Sequence, residues 1–210
     1  MNRKLLIGVP KIISPKSQNI VEAIESSNNG NILLKNVLVI TAEEENGNGR
    51  YYPKRLWERE LNKFIQKIQE ATTETVGELD HPDSQIINLK NGSHIIRSLR
   101  WVGDEVRADI EILCDVGSKG NEAGRILGSY LRNGLAIGFS TRGLGSMEQK
   151  GDIMEVQDDF EFLTIDAVSN PSNQGSWGRL NENKQSKDPY YKVHSIITDI
   201  LCSNGSCPIN

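Results

Sequence analysis

One stretch of strict alternation limits the folds that are open to this chain. From Val106 to Ile112, apolar residues at every second position alternate with charged residues. A period of two is typical of a half-buried strand whose apolar face packs on a core. Gly103-Asp104 precedes this strand, and an earlier apolar run begins at Ile95. We therefore predict a hairpin over residues 95–113, which requires an antiparallel sheet.

Two amphipathic helices and several further strands accompany the hairpin. Pro53 lies in the first turn of one predicted helix, and Gly134 supplies a left-handed stop to the other. The apolar faces of the two helices comprise Trp57, Leu61, Phe64, Ile65 and Ile68 in the first, and Ala123, Ile126, Leu127, Tyr130 and Leu131 in the second. Further strands are predicted at residues 36–42, 135–140, 154–156 and 160–168. This pattern indicates an α+β domain built on a mostly antiparallel sheet or barrel.

Composition narrows the class of protein. A net charge of -4 and a pI of about 5.5 argue against a nucleic-acid binder, which usually carries a basic excess. No run approaches 18 apolar residues, so we expect no membrane-spanning segment. The three cysteines lack a disulfide or zinc spacing, which indicates a reducing compartment. We expect no metal and no cofactor.

The chain divides into three predicted segments. Residues 1–32 are polar and read as a flexible arm or propeptide, with a short helix near residues 20–24. Residues 33–180 carry the periodic patterns and form the one predicted domain. Residues 181–210 are polar with little periodicity and read as a C-terminal tail.

Ser140 is the first candidate for chemistry. It ends the apolar run that starts at Leu135, and we predict a small basic glycine turn after it. The backbone N–H groups of Thr141, Arg142 and Gly143 could form an oxyanion hole in such a turn. The competing interpretation is an ordinary serine beside a glycine-rich turn.

His81 and Asp166 are the candidate partners of that serine. His81 lies in a turn segment, where functional side chains are often mounted, although a solvated histidine would look the same. Asp166 lies on the apolar face of its predicted strand and needs a partner, which could also be an arginine. Asp80 and Asp83 are rival acids for the histidine.

Together these residues predict a catalytic triad in the chain order His81, Ser140, Asp166. That order differs from those of chymotrypsin, subtilisin and the α/β-hydrolases, so the triad excludes those folds. It predicts acyl transfer, with the histidine as the base of a serine protease.

Four motifs in this order resemble a known family. They are Gly-Arg-Tyr-Tyr-Pro-Lys-Arg at 49–55, Gly-Glu-Leu-Asp-His-Pro at 77–82, Ser-Thr-Arg-Gly-Leu-Gly at 140–145 and Asp-Ala-Val-Ser-Asn-Pro-Ser at 166–172. Over about residues 33–180, the chain resembles the prohead core proteases of T-even-type tailed phages, distant relatives of the herpesvirus maturation proteases (assemblins).

The resemblance implies a fold and a set of roles. The implied fold is a small, mostly antiparallel closed β-barrel flanked by helices. His81 would be the family histidine, Ser140 the nucleophile, and Arg142 with Gly143 the oxyanion hole through backbone N–H groups. Herpesvirus relatives use a second histidine where phage members use an acid. Asp166 falls at that position, while His94 and His194 are poorly placed for it.

The resemblance also implies substrates and a life cycle. Scaffolding and capsid proteins would be cut after Glu in Leu/Ile-x-Glu sequences, inside the prohead in the host cytoplasm. The enzyme would be a zymogen that matures by cutting itself. From charge and composition we expect no nucleic-acid or membrane partner, and a homo-oligomer is possible. Ile20-Val21-Glu22 matches the rule, which predicts self-cleavage after Glu22. The cation that binds the substrate glutamate would be Arg142, Arg132 or Arg100.

A second class of protein competes with this hypothesis. A non-catalytic structural or assembly protein on the same barrel, such as a tail-tube-like or scaffold component, would explain the strands and the polar ends. It gives no reason for His81, Ser140 and Asp166 to occur together with the basic glycine segment.

Overall fold

The computed structural model describes residues 4–6, 20–23, 30–173 and 175–180. The strands in these ranges are β1 Lys4–Leu6, β2 Ile20–Ala23, β3 Ile32–Thr41, β4 Arg50–Tyr51, β5 Val76–Glu78, β6 Gly92–Val102, β7 Glu105–Ile112, β8 Ile137–Gly145, β9 Met147–Lys150, β10 Ile153–Val156, β11 Glu161–Val168 and β12 Trp177–Leu180. The helices are α1 Lys54–Gln69 and α2 Glu122–Arg132, with a short 3-10 helix at Thr73–Thr75. Neither α-helix of the described part is long and apolar enough to cross a membrane.

The strands of the described residues form three sheets. The site sheet has β8 paired with β1, β11 and β12, and β2 paired with β12. The hairpin sheet has the order β3-β7-β6-β5, and a small sheet has the order β4-β10-β9. The pairs β2–β12 and β4–β10 are parallel, and the other ladders are antiparallel. The core lies between the site sheet and the hairpin sheet.

The predicted closed β-barrel is wrong for the described part of the chain. None of the three sheets closes on itself, and two α-helices accompany a mostly β structure. At the seam between β5 and β11, the hairpin sheet and the site sheet are joined by an isolated bridge, between Leu79 and Ala167, in place of a ladder. Without a continuous ladder of hydrogen bonds at that seam the strands pack as separate layers. Strand periodicity reveals which residues face a core, but it does not reveal whether the last strand pairs with the first.

The predicted hairpin is confirmed. β6 and β7 pair antiparallel around a turn at Gly103, whose φ of 65° lies in the left-handed region that glycine tolerates. The alternating apolar residues from Val106 to Ile112 are fully buried. β3 covers the other edge of β7, so the hairpin becomes the centre of its sheet.

The first predicted helix is confirmed as α1, with Pro53 as its N-cap residue, one position earlier than predicted. Trp57 packs edge-on against Phe160 at a centroid distance of 5.0 Å, and Phe64 contacts Phe162 at 4.8 Å. These aromatic contacts attach α1 to the start of β11.

The second predicted helix is confirmed as α2, but its buried face is rotated from the predicted one. Ile126 and Tyr130 remain 42% and 47% exposed. The helix instead turns its glycines inward, where a Cβ on Gly124 would lie 2.1 Å from the carbonyl oxygen of Leu113. The buried face therefore combines the glycines, which permit close backbone approach, with Ala123, Leu127 and Leu131 from the predicted face.

The described parts of the predicted arm form strands. Residues 20–23 form β2 in place of the predicted short helix, and β1 pairs with the end of β8. Glu22 lies opposite Arg179 in the parallel pair of β2 and β12. The tail at 181–210 lies outside the described residues, and the segment boundaries at 32 and 180 stay predictions.

Candidate functional site

Ser140 lies inside β8 rather than before a turn. The glycine turn predicted after it is wrong, because β8 continues to Gly145. Gly143 lies opposite Leu6 of β1, and a Cβ on it would lie 2.6 Å from the ring of Phe160. The glycine in this segment therefore permits close packing of the strand.

Asp166 lies directly opposite Ser140 in the antiparallel pair of β8 and β11. Directly opposed residues share one face of a sheet, with Cβ atoms about 5 Å apart. Ser140 is 4% exposed and Asp166 is fully buried. A buried carboxylate requires charged or hydrogen-bonding partners, and Asp166 has three.

His81 is one of those partners. Its Nδ1 lies 2.8 Å from Oδ2 of Asp166. A carboxylate oxygen accepts hydrogen bonds, so in the neutral imidazole this contact selects the tautomer with the proton on Nδ1 and a lone pair on Nε2. The rivals Asp80 and Asp83 do not take this place. A neutral imidazole in this tautomer can accept a proton from a nucleophile.

The backbone before His81 is fastened to β11 beside Asp166. Asp80 has a φ of 58°, a left-handed conformation that aspartate adopts more readily than most residues. Its N–H donates to the carbonyl oxygen of Ala167 at 2.8 Å, and Leu79 forms a bridge with Ala167. The loop therefore presents the imidazole to the carboxylate of the neighbouring residue on β11.

Ser140 has a hydrogen-bond partner that the sequence analysis missed. Its Oγ lies 3.2 Å from the Oγ of Ser172, in the segment that follows β11. Within the described residues no hydrogen bond joins Ser140 to His81. Such bonds are often long in the absence of substrate and shorten when it binds. Ser172 ends the motif that begins at Asp166, and that was its one signal in the sequence.

Arg142 is the buried cation of this site. Its side chain is 1% exposed, and Nη2 donates to Oε2 of Glu78 at 2.6 Å and to Oδ1 of Asp166 at 3.2 Å. A guanidinium enclosed by two carboxylates is not available to a substrate glutamate. The sequence analysis considered this side chain only as a substrate-binding cation and missed Glu78.

The other two candidate cations also have partners elsewhere. Arg132, at the end of α2, donates to the carbonyl oxygen of Gly30 at 3.4 Å. Arg100, on β6, forms an ion pair with Asp109 at 3.2 Å. Beside Ser172 lies a depression of about 280 Å³ whose lining includes Glu44 and Glu45. Their carboxylates make it a poor place for a substrate glutamate.

His94 lies behind the site on β6. Its Nε2 donates to the carbonyl oxygen of Ile165 at 3.0 Å, and its Nδ1 accepts from the hydroxyl of Ser93 at 2.9 Å. Burial lowers the pKa of His94 to about 4, and the nearby Asp166 carboxylate opposes this shift only in part. His94 is therefore neutral near pH 7. His194 lies outside the described residues.

The chain is similar to known proteins in three comparisons. The family model described as "Prohead core protein serine protease" matches residues 10–188. The chain is 30% identical over 142 residues to the prohead core protein protease of Enterobacteria phage T4, a match that covers 67% of this chain and 65% of that protein. The structure of the bacteriophage T4 capsid assembly protease, gp21, matches with a TM-score of 0.63 at 24% identity, over 80% of this chain and 99% of that one.

The chain belongs to the prohead core protein serine protease family, since the family model covers most of its length. The family resemblance drawn from the four motifs is confirmed. The likeness to the T4 capsid assembly protease shows a shared fold. The match to the T4 prohead core protein protease spans just under two thirds of that protein's length.

Proposed function

We propose that this chain is a serine endopeptidase of phage prohead maturation. The observation that carries the proposal is the 2.8 Å contact between His81 Nδ1 and Asp166 Oδ2, on the strand position opposite Ser140. A histidine oriented by a buried carboxylate can act as the base for a serine nucleophile in acyl transfer. Family membership supports the same class of reaction.

The reaction follows from these three side chains. His81 Nε2 takes the proton of Ser140 Oγ as the oxygen attacks a peptide carbonyl, and Asp166 stabilises the imidazolium. The imidazolium then gives its proton to the leaving amine, which leaves an acyl group on Ser140. Water, deprotonated by His81, attacks the acyl-enzyme and releases the second product.

The oxyanion of each intermediate requires hydrogen-bond donors near Ser140. We retain the backbone N–H groups of Arg142 and Gly143 as the proposed donors. Both residues follow Ser140 on β8, opposite Thr164 and Phe162 of β11. A substrate oxyanion would therefore compete with strand hydrogen bonds at these positions.

We propose capsid and scaffolding proteins as the substrates, cut after Glu in Leu/Ile-x-Glu sequences inside the prohead in the host cytoplasm. The T4 relatives are a prohead core protein protease and a capsid assembly protease, which supports the prohead as the place and its maturation as the process. The proposal includes self-cleavage after Glu22. Because β2 pairs with β12 through residues 20–23, that cut requires β2 to leave β12 and enter an active site as an extended segment.

The test is the intact mass and N-terminal sequence of the purified protein over time. We expect the wild type to lose residues 1–22, and Ser140→Ala and Glu22→Gln to remain whole. Ser129→Ala, which removes an exposed hydroxyl on α2, is the matched control and should process like the wild type.

Each of the other outcomes contradicts part of the proposal. Processing by Ser140→Ala would show that another protease makes the cut. Processing of the wild type at another residue would reject Glu22 and the Leu/Ile-x-Glu rule. Absence of both self-processing and reaction of Ser140 with a fluorophosphonate, a general probe of activated serines, would reject the serine hydrolase.

A further inference from the structure

We propose that Arg142 is a positioning residue. Its side chain holds Asp166 and the loop between β5 and β6 that carries His81 (residues 79–91, the His81 loop) in the catalytic arrangement. This inference rests on the proposed function, since it assigns a role within that triad. Arg142 was one of three candidate cations for the substrate glutamate. We assign its side chain instead to Asp166 and His81 of the enzyme itself.

The charges of the cluster support this role. Arg142, Glu78 and Asp166 are all at most 1% exposed. Two buried carboxylates without a cation would repel each other in a medium of low dielectric constant. With both carboxylates ionised, the guanidinium leaves a net charge of -1, and an imidazolium at His81 brings the cluster to neutrality. The cluster is therefore complementary to the charged intermediate of the proposed reaction.

The contacts of Arg142 orient the carboxylate of Asp166. Oδ1 accepts from Arg142 Nη2 at 3.2 Å and from the backbone N–H of Glu78 at 3.0 Å. Arg142 Nε lies 2.9 Å from Oδ2, an ion-pair distance outside the direction of a hydrogen bond. Rotation of the carboxylate would break both contacts at Oδ1, so Oδ2 stays aimed at His81.

The same guanidinium ties down the segment that carries His81. Its Nη1 donates to the carbonyl oxygen of Ser84 at 2.9 Å. Its Nη2 donates to Oε2 of Glu78, while Oε1 of Glu78 accepts from the N–H of Asn88 at 2.7 Å. Arg142 therefore contacts Glu78, just before the loop, and Ser84, within it. Glu78 in turn links Asn88, near the end of the loop, to the same network.

An arginine suits this role because its planar fork offers several donors in fixed directions. A lysine at this position would keep the charge but present a single ammonium, which cannot serve Asp166, Glu78 and Ser84 with the same geometry. Arg142→Lys therefore separates the charge from the positioning.

The experiment compares Arg142→Lys with the wild type and with Arg97→Lys. Arg97 is an exposed arginine on β6 that forms an ion pair with Glu111. The first readout is the rate at which Ser140 reacts with a fluorophosphonate that contains no glutamate. The second is kcat and KM for a peptide with an Ile-x-Glu sequence. The third is the NMR resonance of the His81 Nδ1 proton.

We expect Arg142→Lys to slow labelling and to lower kcat by about 10²-fold, the usual cost of a small misplacement of catalytic groups. KM should stay within about threefold of wild type, and the Nδ1 proton resonance should move or disappear. Arg97→Lys should leave all three readouts unchanged.

Two results with Arg142→Lys overturn the inference. Unchanged labelling and an unchanged proton resonance would show that Arg142 is structural only. A raised KM with unchanged labelling would show that Arg142 binds the substrate glutamate. Should Arg142→Lys fail to fold, Glu78→Gln tests the same network, with an expected loss of about tenfold in labelling and a changed proton resonance. Wild-type levels of both in that variant would likewise overturn the inference.

The proposed function and this inference fail in different ways. If wild-type Ser140 does not react with the probe or cleave the peptide, the serine protease itself is rejected. If the wild type reacts and Ser140→Ala does not, while Arg142→Lys reacts like the wild type, only the role of Arg142 is rejected.

Discussion

Two histidines contact neighbouring residues of β11 with different consequences. His81 contacts the carboxylate of Asp166 at 2.8 Å, and His94 contacts the backbone carbonyl of Ile165 at 3.0 Å. The side chain of His81 is 12% exposed and lies on a loop, whereas His94 is fully buried on β6. The partners differ in charge, and the surroundings differ in access to water.

The difference separates a histidine that faces a carboxylate from one that faces neutral groups. A carboxylate stabilises an imidazolium, while a carbonyl and a hydroxyl in a dry interior do so weakly. Burial accordingly lowers the pKa of His94 to about 4. On β11, Asp166 thus contacts a candidate base, His81, and the preceding Ile165 contacts a neutral buried histidine, His94.

The largest expected effect separates the two histidines by activity. His81→Gln should lower kcat/KM by about 10³-fold or more, because it removes the proposed general base, and it should change stability little. His94→Gln should keep activity per folded molecule within about threefold, while it lowers the free energy of unfolding by about 1–3 kcal/mol through lost buried hydrogen bonds.

Peptide cleavage and denaturant unfolding on both variants provide the measurement. The distinction between the two histidines would be wrong if His94→Gln lost as much activity as His81→Gln at an equal folded fraction. His94 would then belong to the catalytic machinery, as the second histidine of the herpesvirus relatives does.

The next effect concerns pH and stability. Below about pH 6.5 the unfolded chain protonates His94, whereas the folded protein resists this until about pH 4. The unfolded state binds more protons in this window, so the free energy of unfolding falls as pH falls. The His94 contribution amounts to about 3 kcal/mol over the window.

Denaturant unfolding of the wild type and of His94→Gln between pH 4 and pH 7 isolates this contribution, because other titrating groups are common to both. We expect the wild-type curve to fall more steeply towards low pH. Parallel curves would show that His94 is protonated at little cost in the folded state.

The smallest expected effect tests the contact between the His94 region and β11. A Cβ on Gly77 would lie 2.1 Å from the carbonyl oxygen of Ile165 and 2.2 Å from Nε2 of His94. Gly77→Ala should therefore destabilise the protein by about 1–3 kcal/mol, the usual cost of overpacking, measured by denaturant unfolding.

A double mutant sharpens this test. The costs of Gly77→Ala and His94→Ala should not add, because the second change removes the His94 ring atoms that the new methyl group meets. Strict additivity, or a neutral Gly77→Ala, would show that the packing behind β11 is looser than the structure indicates.

Local sequence pattern was sufficient for several elements of this protein. Alternation predicted the hairpin of β6 and β7, and helical periodicity predicted α1 and α2, because each of these patterns is set by neighbours along the chain. The family also followed from short motifs in order. His81, Ser140 and Asp166 were selected by residue type and context, and the structure places Asp166 beside His81 and opposite Ser140.

Tertiary structure alone decided what depends on residues far apart in the chain. Closure of the sheet failed at the seam between Leu79 and Ala167, which no periodicity describes. Arg142 meets Glu78 across 64 residues, and Ser140 meets Ser172 across 32. The physical reason is that burial, partner charge and strand register arise only when the sheets pack. These non-local terms made one cation a partner of two carboxylates and one histidine a neutral core residue.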